Sequence, residues 1–269
     1  MNKRQEAVII MLALFALIIV YSQPGTLLTH AQEGNGNSNS VSIFPPDAEP
    51  YGLTYGEWTT KWWQWIYSMP EEHNPAIDDT GENCANNQSG PVWFLAGTFG
   101  GAVTRECTIP PGKAILYPIM NVECDSATDP TLDTESELRS CAKADQDTVI
   151  TKEITIDGIN ISNLDNYRFQ SRLFNLTFPE NNIAGIAPQI AKAVSDGYWI
   201  LLEPLPPGTH EIHSRAALGD PTAIGTTNFA LDVTYLLTVA EAQIEVAPTQ
   251  NGTNQSITLQ GSSGNSTLE

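Results

Sequence analysis

The chain has 269 residues and a formal net charge of −19, from 12 basic and 31 acidic residues. A surface so rich in one sign of charge repels nucleic acid and anionic lipid headgroups, so we expect neither as a partner. The length allows one large or two small domains with a substantial core, and we favour one. The chain contains no P-loop, G-x-S-x-G elbow or H-E-x-x-H motif. The sequence therefore leaves enzymatic activity open, and we favour a protein that is not an enzyme.

Residues 1–31 have the pattern of an export signal. Lys3 and Arg4 precede an unbroken apolar run at residues 7–21, and small residues lead up to Ala31. This run is shorter than the roughly 20 residues that span a bilayer comfortably. We therefore predict cleavage after Ala31 and a secreted or cell-envelope protein. The alternative is an uncleaved N-terminal anchor with the domain outside, and membrane contact would then be limited to this segment.

Two segments of biased composition flank the predicted domain. Residues 32–50 are rich in Gly, Asn, Ser and Pro, which is typical of a flexible spacer. Residues 248–269 contain no aromatic residue and one charge, so they cannot bury enough surface to fold and are predicted to be a disordered polar tail. We assign residues 51–247 to a single domain.

Four of the six tryptophans fall within residues 58–65. Thr54 and Glu57 form a capping box before this run and Pro70 follows it, so we predict a helix at residues 55–68. Three tryptophans share one stripe of that helix and should face the core; they are Trp58, Trp62 and Trp65.

Trp63 and Tyr67 lie four residues apart on a different face of the same helix. Either the helix is covered on two sides, or this pair is a stacking platform for a sugar or another flat ligand. We predict that Trp63 and Tyr67 are ligand-binding residues.

The rest of the domain is predicted to be mainly β. A second capping box, at Thr134 and Glu137, predicts a helix at residues 134–149. Short apolar or alternating segments bounded by turn residues predict strands, which include hairpins at residues 104–119 and 153–162 and a long period-two run at residues 229–239. The expected fold is an antiparallel β-sandwich of jelly-roll or immunoglobulin-like type with two inserted helices and disulfide staples.

Four cysteines form an even set in a chain that we expect to be exported. Their spacings match no compact zinc pattern. Of the three possible connectivities we favour Cys84 with Cys107 and Cys124 with Cys141, because each of these disulfides closes one short loop of the chain.

Six Asn-x-Ser/Thr sequons are candidate glycosylation sites in an organism that has the machinery. They begin at Asn87, Asn160, Asn175, Asn251, Asn254 and Asn265. All six could face solvent.

The candidate chemistry is sparse. His210 and His213 are three apart on an expected strand and point to opposite faces, so they do not form a metal pair; an ion-pair ladder of Glu211, His213 and Arg215 is favoured instead. Carboxylates in two acidic loops could serve a hydrolase, or weakly a calcium site, and they are Asp78, Asp79 and Glu82 in one loop and Glu123 and Asp125 in the other. We expect no cofactor and no bound metal otherwise.

Several segments together resemble an uncharacterised family of exported bacterial and archaeal proteins. They are YGEW at residues 55–58, WWQW at 62–65, QSGPVWFLAG at 88–97 and PGTHEIH at 207–213. The resemblance covers residues 51–239 and implies export, but the family has no established activity.

Three functions follow as hypotheses. The first is a secreted or envelope-attached β-sandwich that binds a glycan or a cell-surface partner. The second is a secreted polysaccharide hydrolase that uses the acidic loops, which would require two carboxyl groups about 5 to 9.5 Å apart in a cleft. The third is a structural component of the envelope, which would present a large flat interface and no cleft.

Overall fold

A computed structural model describes residues 41–219 and 227–242. These residues are mainly β, with 43% strand and 18% helix. Within the described residues there are ten strands in two five-stranded sheets, and two α-helices, α1 (Tyr55–Tyr67) and α2 (Glu135–Gln146). Both helices begin with the expected capping boxes, at Thr54 and Thr134.

The first sheet is built around two long strands, β3 (Ala114–Asp125) and β8 (Gln189–Leu202), which pair antiparallel. Strand β1 (Val92–Phe94) pairs parallel with β3. Strands β6 (Arg168–Gln170) and β7 (Phe174–Phe178) pair antiparallel with successive parts of β8.

The second sheet has the order β2, β10, β9, β4, β5. The strands are β2 (Gly101–Ile109), β10 (Thr227–Val239), β9 (Gly208–Gly219), β4 (Val149–Ile156) and β5 (Ile159–Asn160). Strand β2 pairs parallel with β10, and the other neighbours are antiparallel. The predicted mainly-β class with two helices and two disulfides is confirmed, and each sheet includes one parallel pair.

The expected hairpin at residues 104–119 is wrong, because its two strands belong to different sheets. Strand β2 alternates exposed and buried residues toward its end, as a strand covered on one face does, whereas the first seven residues of β3 are all buried. The Pro110–Pro111–Gly112 turn therefore carries the chain from one layer to the next. The hairpin at Asp157 and Gly158 is present, and both turn residues have positive φ, 51° and 76°.

The two sheets pack face to face around one apolar core. The first sheet supplies inward side chains from β1, β3 and β8, and the second sheet supplies alternate residues of β4, β9 and β10. Large members of this core are Ile115, Tyr117, Ile200, Ile212, Val233 and Tyr235. Their burial is the main favourable contribution to folding of the sandwich.

Helix α1 covers the outer face of the first sheet, where it packs against β6, β7 and β8. A register shift between Pro118 and Met120 in β3 changes which residues face α1. After this shift the odd-numbered residues, including Glu123, lie on the α1 side. The even-numbered residues, including Cys124, lie on the inner face, where α2 covers the part of β3 and β8 beyond the second sheet.

Both expected disulfides are present. Cys84 is bonded to Cys107 and Cys124 to Cys141, with Cα separations of 5.9 and 6.2 Å. The first bond joins the loop after α1 to β2, and the second joins β3 to α2. No helix among the described residues is long and apolar enough to cross a membrane.

The folded unit begins before residue 51, which corrects the expected start of the domain. Ile43 forms a β-bridge with Leu202, and the backbone N–H of Phe44 donates to the carbonyl of Leu201 at 2.9 Å. Residues 41–50 thus belong to the sandwich rather than to the spacer. The predicted leader, the first part of the spacer and the polar tail lie outside the described residues.

Candidate functional site

The predicted ligand-binding pair is buried. Trp63 and Tyr67 are 9% and 8% exposed, their rings stack 5.8 Å apart, and Tyr67 packs edge-on against Phe178 of β7 at 4.8 Å. The expectation of an open stacking platform is therefore corrected, because β7 covers the second face of α1. Direct ligand contact by these two residues stays a prediction.

The other tryptophans of α1 face inward, as the helical stripe indicates. The indole N–H of Trp62 donates to the carbonyl of Leu95 at 2.8 Å, and that of Trp65 donates to the carbonyl of Asn86 at 2.9 Å. The indole N–H of Trp58 donates to the carbonyl of Pro50 at 3.0 Å. Each indole thus ties α1 to a different segment of backbone.

A cleft of about 400 Å³ opens between α1 and the segment that leads into β1. We call it the α1 cleft. Helix α1 contributes four side chains, its C-cap residue Ser68 contributes a fifth, and the incoming segment with Phe94 of β1 contributes the rest. The lining residues are Trp58, Lys61, Gln64, Trp65 and Ser68, with residues 87, 89–91 and 94.

The floor of the α1 cleft is aromatic. The ring of Phe94 lies 6.3 Å from that of Trp58 and 5.5 Å from that of Trp65, so it sits between two tryptophans that are seven residues apart on the helix. All three side chains are at least nine-tenths buried, so only a small part of each ring is exposed in the floor. The floor is accordingly rigid and apolar.

Gln88 holds the incoming segment against the floor. Its side-chain amide donates to the carbonyl of Phe94 at 2.8 Å and accepts from the N–H of Phe94 at 3.0 Å, as a neighbouring strand would. The same amide donates to the carbonyl of Cys84 at 2.9 Å. The ammonium group of Lys113 donates to the carbonyl of Gly90 at 2.6 Å. The disulfide, Gln88 and Lys113 therefore pre-form one wall of the cleft.

The rim of the α1 cleft is polar. Lys61 is exposed and takes part in no ion pair within the described residues. The amide of Asn87 lies 3.4 Å from the hydroxyl of Ser68, and the backbone of Asn87 has a φ of 52°. Amide, hydroxyl and ammonium groups at the edge of an aromatic floor can bind the hydroxyl groups of a ligand whose apolar face lies on the rings.

A second cleft, of about 790 Å³, lies beside the Cys84–Cys107 disulfide and extends across β2, β10 and β9 of the second sheet. We call it the acidic cleft. Four acidic residues line it and no lysine or arginine does; the acidic residues are Glu82, Glu106, Asp157 and Glu211. His210 lines it too, with one ring nitrogen 2.8 Å from the carboxylate of Asp157. The fold thus brings Glu82 of the predicted acidic loop next to residues from β2 and β9.

Two other carboxylates singled out in the sequence, those of Asp78 and Asp125, serve local structure. Asp78 accepts hydrogen bonds from the N–H groups of Thr80 and Asn83 at 2.8 Å each. Asp125 accepts from the N–H groups of Ala127 and Thr128 at 2.7 and 2.9 Å. Such Asx turns stabilise the two loops.

Glu123 is different, because its carboxyl group lies beneath α1. The hydroxyl of Tyr67 donates to its Oε1 at 2.9 Å, and its buried Oε2 has no hydrogen-bond partner. Burial first, and the nearby negative charge of Asp125 second, raise the pKa of Glu123 to about 8. Sequence patterns gave no sign of this environment, which depends on the register shift in β3.

The two histidines of the PGTHEIH segment do not converge. His213 binds the carboxylate of Asp232 on β10 at 2.8 Å, and Arg215 binds the other oxygen of the same carboxylate at 2.8 Å. The expected ion-pair ladder is present for these two residues, with Asp232 as the partner that the sequence did not suggest. Glu211 lies in the acidic cleft instead.

The potential metal ligands of the described residues converge in one place. They are Cys124, Cys141 and Asp145, and the two sulfur atoms are bonded to each other. A disulfide offers no thiolate to a metal, so this group does not fit a metal site.

The three sequons within the described residues have exposed asparagines, at Asn87, Asn160 and Asn175. Those at Asn251, Asn254 and Asn265 lie outside the described residues. Asn87 is the one that lines the α1 cleft.

Comparison with known proteins identifies no family for this chain. No family model and no curated protein matches it. One similar solved structure is a cysteine protease inhibitor, EhICP2, from Entamoeba histolytica, with 15% identity, a TM-score of 0.19, and coverage of 52% of this chain and 87% of that one. Another is PbICP-C in complex with falcipain-2, with 11% identity, a TM-score of 0.22, and coverage of 56% and 99%. Similarity at this level supports no inference about function.

Proposed function

We propose that this protein is an exported β-sandwich that binds a glycan in the α1 cleft. The observation that carries the proposal is the aromatic floor of Trp58, Phe94 and Trp65 beneath a rim of ammonium, amide and hydroxyl groups. A sugar ring has an apolar face of C–H groups and an edge of hydroxyl groups. Such a ligand matches both parts of the cleft.

Pre-organisation supports the proposal. The wall of the cleft is held by the Cys84–Cys107 disulfide and by the three hydrogen bonds of Gln88, so binding does not have to order a loop. Each side chain or loop that is already ordered lowers the entropic cost of binding. The volume of about 400 Å³ is within the range of small-molecule sites.

A glycan-array screen of residues 32–269 tests the proposal. Lys61→Ala and Gln64→Ala remove rim groups, and each should weaken binding of a captured glycan by about tenfold, as expected for loss of one good hydrogen bond. Matched controls are Lys192→Ala and Gln189→Ala, which are exposed and lie outside the cleft. If no glycan binds, or if the rim variants bind like the controls, the proposal is wrong.

The acidic cleft supports a second candidate function, a polysaccharide hydrolase. Glu82, Glu106 and Glu211 line it, and none of them forms an ion pair within the described residues. Hydrolysis of a glycosidic bond requires a carboxylic acid and a second carboxylate on opposite sides of that bond. The wild-type protein should then release reducing ends from polysaccharides. At least two of the variants Glu82→Gln, Glu106→Gln and Glu211→Gln should lose this activity. Absence of turnover in the wild-type protein would eliminate this candidate.

A further inference from the structure

The last residue of α1 is joined to β3 of the first sheet by a side-chain hydrogen bond. The hydroxyl of Tyr67 donates a hydrogen bond to Glu123 Oε1 at 2.9 Å, across 56 residues of sequence. The ring of Tyr67 is held between Trp63 and Phe178. The contact therefore connects the C-terminal turn of α1 to β3 inside the layer between helix and sheet.

Burial and the nearby charge of Asp125 favour the uncharged form of Glu123, and together they outweigh the hydrogen bond from Tyr67, which favours the charged form. From α1 it is faced by Tyr67, from β3 by Asp125 two residues along the same face, and from β8 by Ser195 directly opposite. Asp125 is 1% exposed and Ser195 is fully buried. Helix α2 packs on the opposite face of these strands, and no described ion pair includes Glu123.

The buried oxygen atoms around Glu123 that lack a hydrogen-bond partner also favour a neutral carboxyl group. Glu123 Oε2 and the hydroxyl oxygen of Ser195 are buried and have no hydrogen-bond partner. A neutral carboxyl group can be tolerated there, because its proton can be shared with a neighbouring oxygen. An ionised carboxylate would place a second negative charge near Asp125 without a compensating cation, and this is costly in a buried site.

The same turn of α1 builds the α1 cleft. Trp65 supplies part of the floor and Ser68 part of the rim, and they lie two residues before and one residue after Tyr67. The hydroxyl of Ser68 also donates to the carbonyl of Trp65 at 2.7 Å. Glu123 faces α1 and its backbone is paired with β8, so we expect a movement that brings Glu123 into water to lift this turn.

We propose that the Tyr67–Glu123 contact is a protonation-controlled latch that holds the last turn of α1 over the neutral carboxyl group of Glu123. Ionisation favours opening, because the cost of burying the charge beside Asp125 exceeds the gain from a stronger hydrogen bond with Tyr67, so that pH regulates the α1 cleft. The regulatory part of this inference rests on the proposed glycan-binding function; the latch itself does not. Burial raises the pKa of Glu123 from its ordinary value of 4.5 to about 8. The equilibrium constant for opening of the last turn should therefore rise about tenfold per pH unit between roughly 5 and 8 and level off above that range.

Amide hydrogen exchange of residues 63–68 measures the latch without any ligand. Wild-type protein and the Glu123→Gln variant are compared at the same pH, which cancels the intrinsic pH dependence of exchange. The ratio of wild-type to variant exchange should rise by about a hundredfold between pH 5.5 and pH 7.5. Glu153→Gln, which removes an exposed carboxyl group outside both clefts, serves as the matched control and should keep the wild-type pH dependence.

Tyr67→Phe provides an independent variant if Glu123→Gln does not fold. It lacks the donor hydroxyl, so residues 63–68 should exchange faster than in the wild-type protein already at pH 5.5. A wild-type to Glu123→Gln ratio that does not change with pH, or Tyr67→Phe exchange equal to that of the wild-type protein at pH 5.5, overturns the latch.

The affinity for the glycan captured on the array, measured at pH 5.5 and 7.5, distinguishes the latch from the proposed glycan-binding function. If the exchange ratio changes with pH and glycan affinity falls over the same pH range in the wild-type protein but not in Glu123→Gln, both are supported. If the exchange ratio changes but no glycan binds, the proposed function is wrong and the latch stands. If a glycan binds with an affinity that is the same at pH 5.5 and 7.5 in both proteins, regulation of the cleft is wrong.

Discussion

The side-chain amide of Gln88 is hydrogen-bonded to the main chain of Phe94 in both directions, at 2.8 and 3.0 Å. A side chain here takes the place of a neighbouring strand at the edge of β1, whose other edge pairs with β3. The same amide reaches the carbonyl of Cys84. One residue thus couples the disulfide loop to the floor of the α1 cleft.

Gln88→Ala should loosen that loop. The substitution leaves the N–H and the carbonyl of Phe94 without their partner, at a cost of about 1 to 3 kcal/mol in the free energy of unfolding. Denaturant unfolding measures the cost, and hydrogen exchange at residues 85–91 locates it. Gln189→Ala, at an exposed glutamine whose amide contacts only a nearby carbonyl, is the control. Equal stability of the two variants would contradict the role of Gln88.

Arg105→Met should be among the most destabilising single substitutions in the chain. The guanidinium group of Arg105 is 1% exposed and donates to five oxygen atoms. They are the carbonyl oxygens of Asp78, Ala96, Gly97 and Ala76 and the hydroxyl of Tyr235. Methionine leaves the carbonyls of Asp78, Gly97 and Ala76 without this donor, whereas the Ala96 carbonyl keeps its hydrogen bond from Tyr235. The loss of the buried network should cost roughly 3 to 5 kcal/mol.

Lysine should not rescue this position, because a single ammonium group cannot replace the planar fork of five donors. Thermal and denaturant unfolding of Arg105→Lys and Arg105→Met check both statements, with Arg215→Met as the exposed control. A loss of less than about 1 kcal/mol in Arg105→Met would show that water replaces these bonds.

Substitutions at Trp62 and Trp63 should distinguish burial from a ligand-binding role. Both side chains are buried, so alanine at either position should cost roughly 3 to 5 kcal/mol. Phenylalanine should separate them: Trp62→Phe removes the bond to the Leu95 carbonyl, whereas the indole N–H of Trp63 has no partner to lose. Thermal melts of the four variants measure the difference. A small stability cost for Trp63→Ala together with lost binding would restore the original stacking-platform hypothesis.

The unfolding free energy should fall as pH rises from about 5 to about 8. A group whose pKa is higher in the folded state than in the unfolded state binds more protons when folded, so stability is complete below the unfolded value and is lost as pH rises through the folded one. For Glu123, with a folded pKa of about 8, the slope is about 1.4 kcal/mol per pH unit. Glu123→Gln should remove this slope. Denaturant unfolding at several pH values measures it, and an unchanged slope in the variant would assign it to other groups.

Loss of the Cys84–Cys107 bond should destabilise the protein by about 3 kcal/mol in the chain-entropy model. We expect the paired substitution Cys84→Ala with Cys107→Ala to increase amide hydrogen exchange at residues 85–91 as well. The reason is that the disulfide then no longer fixes residue 84, whose carbonyl accepts a hydrogen bond from Gln88. The pair Cys124→Ala with Cys141→Ala is the matched control, since it should cost a similar amount without affecting that loop. Faster exchange at residues 85–91 in both pairs would mean that the effect is global.

Local sequence signals determined much of the secondary structure. The capping boxes at Thr54 and Thr134 specify where the helices begin, because the side chains that satisfy the first free N–H groups are encoded at fixed spacing. The helical spacing of Trp58, Trp62 and Trp65 predicted that they face inward, and they are buried. The short separations in sequence predicted both disulfide pairs, and both are present. These features depend on neighbours within a few turns or one loop.

Features that depend on the meeting of distant segments could not be predicted. Burial of Trp63 and Tyr67 requires β7, more than 100 residues later in the chain, to cover the second face of α1. The shift in β3 that turns Glu123 toward Tyr67 is set by its register with β8. The parallel pairing of β2 with β10 likewise joins segments that share no local signal.

The sequence by itself determined the predicted export signal, the mainly-β composition, the helix starts and the cysteine pairs, because each is encoded in residues close together in the chain. Tertiary structure alone decided which aromatic residues reach a cleft and which carboxyl group is buried. The physical reason is that burial and pKa depend on every segment packed around a side chain. At Phe94 and Glu123 those segments come from distant parts of the sequence.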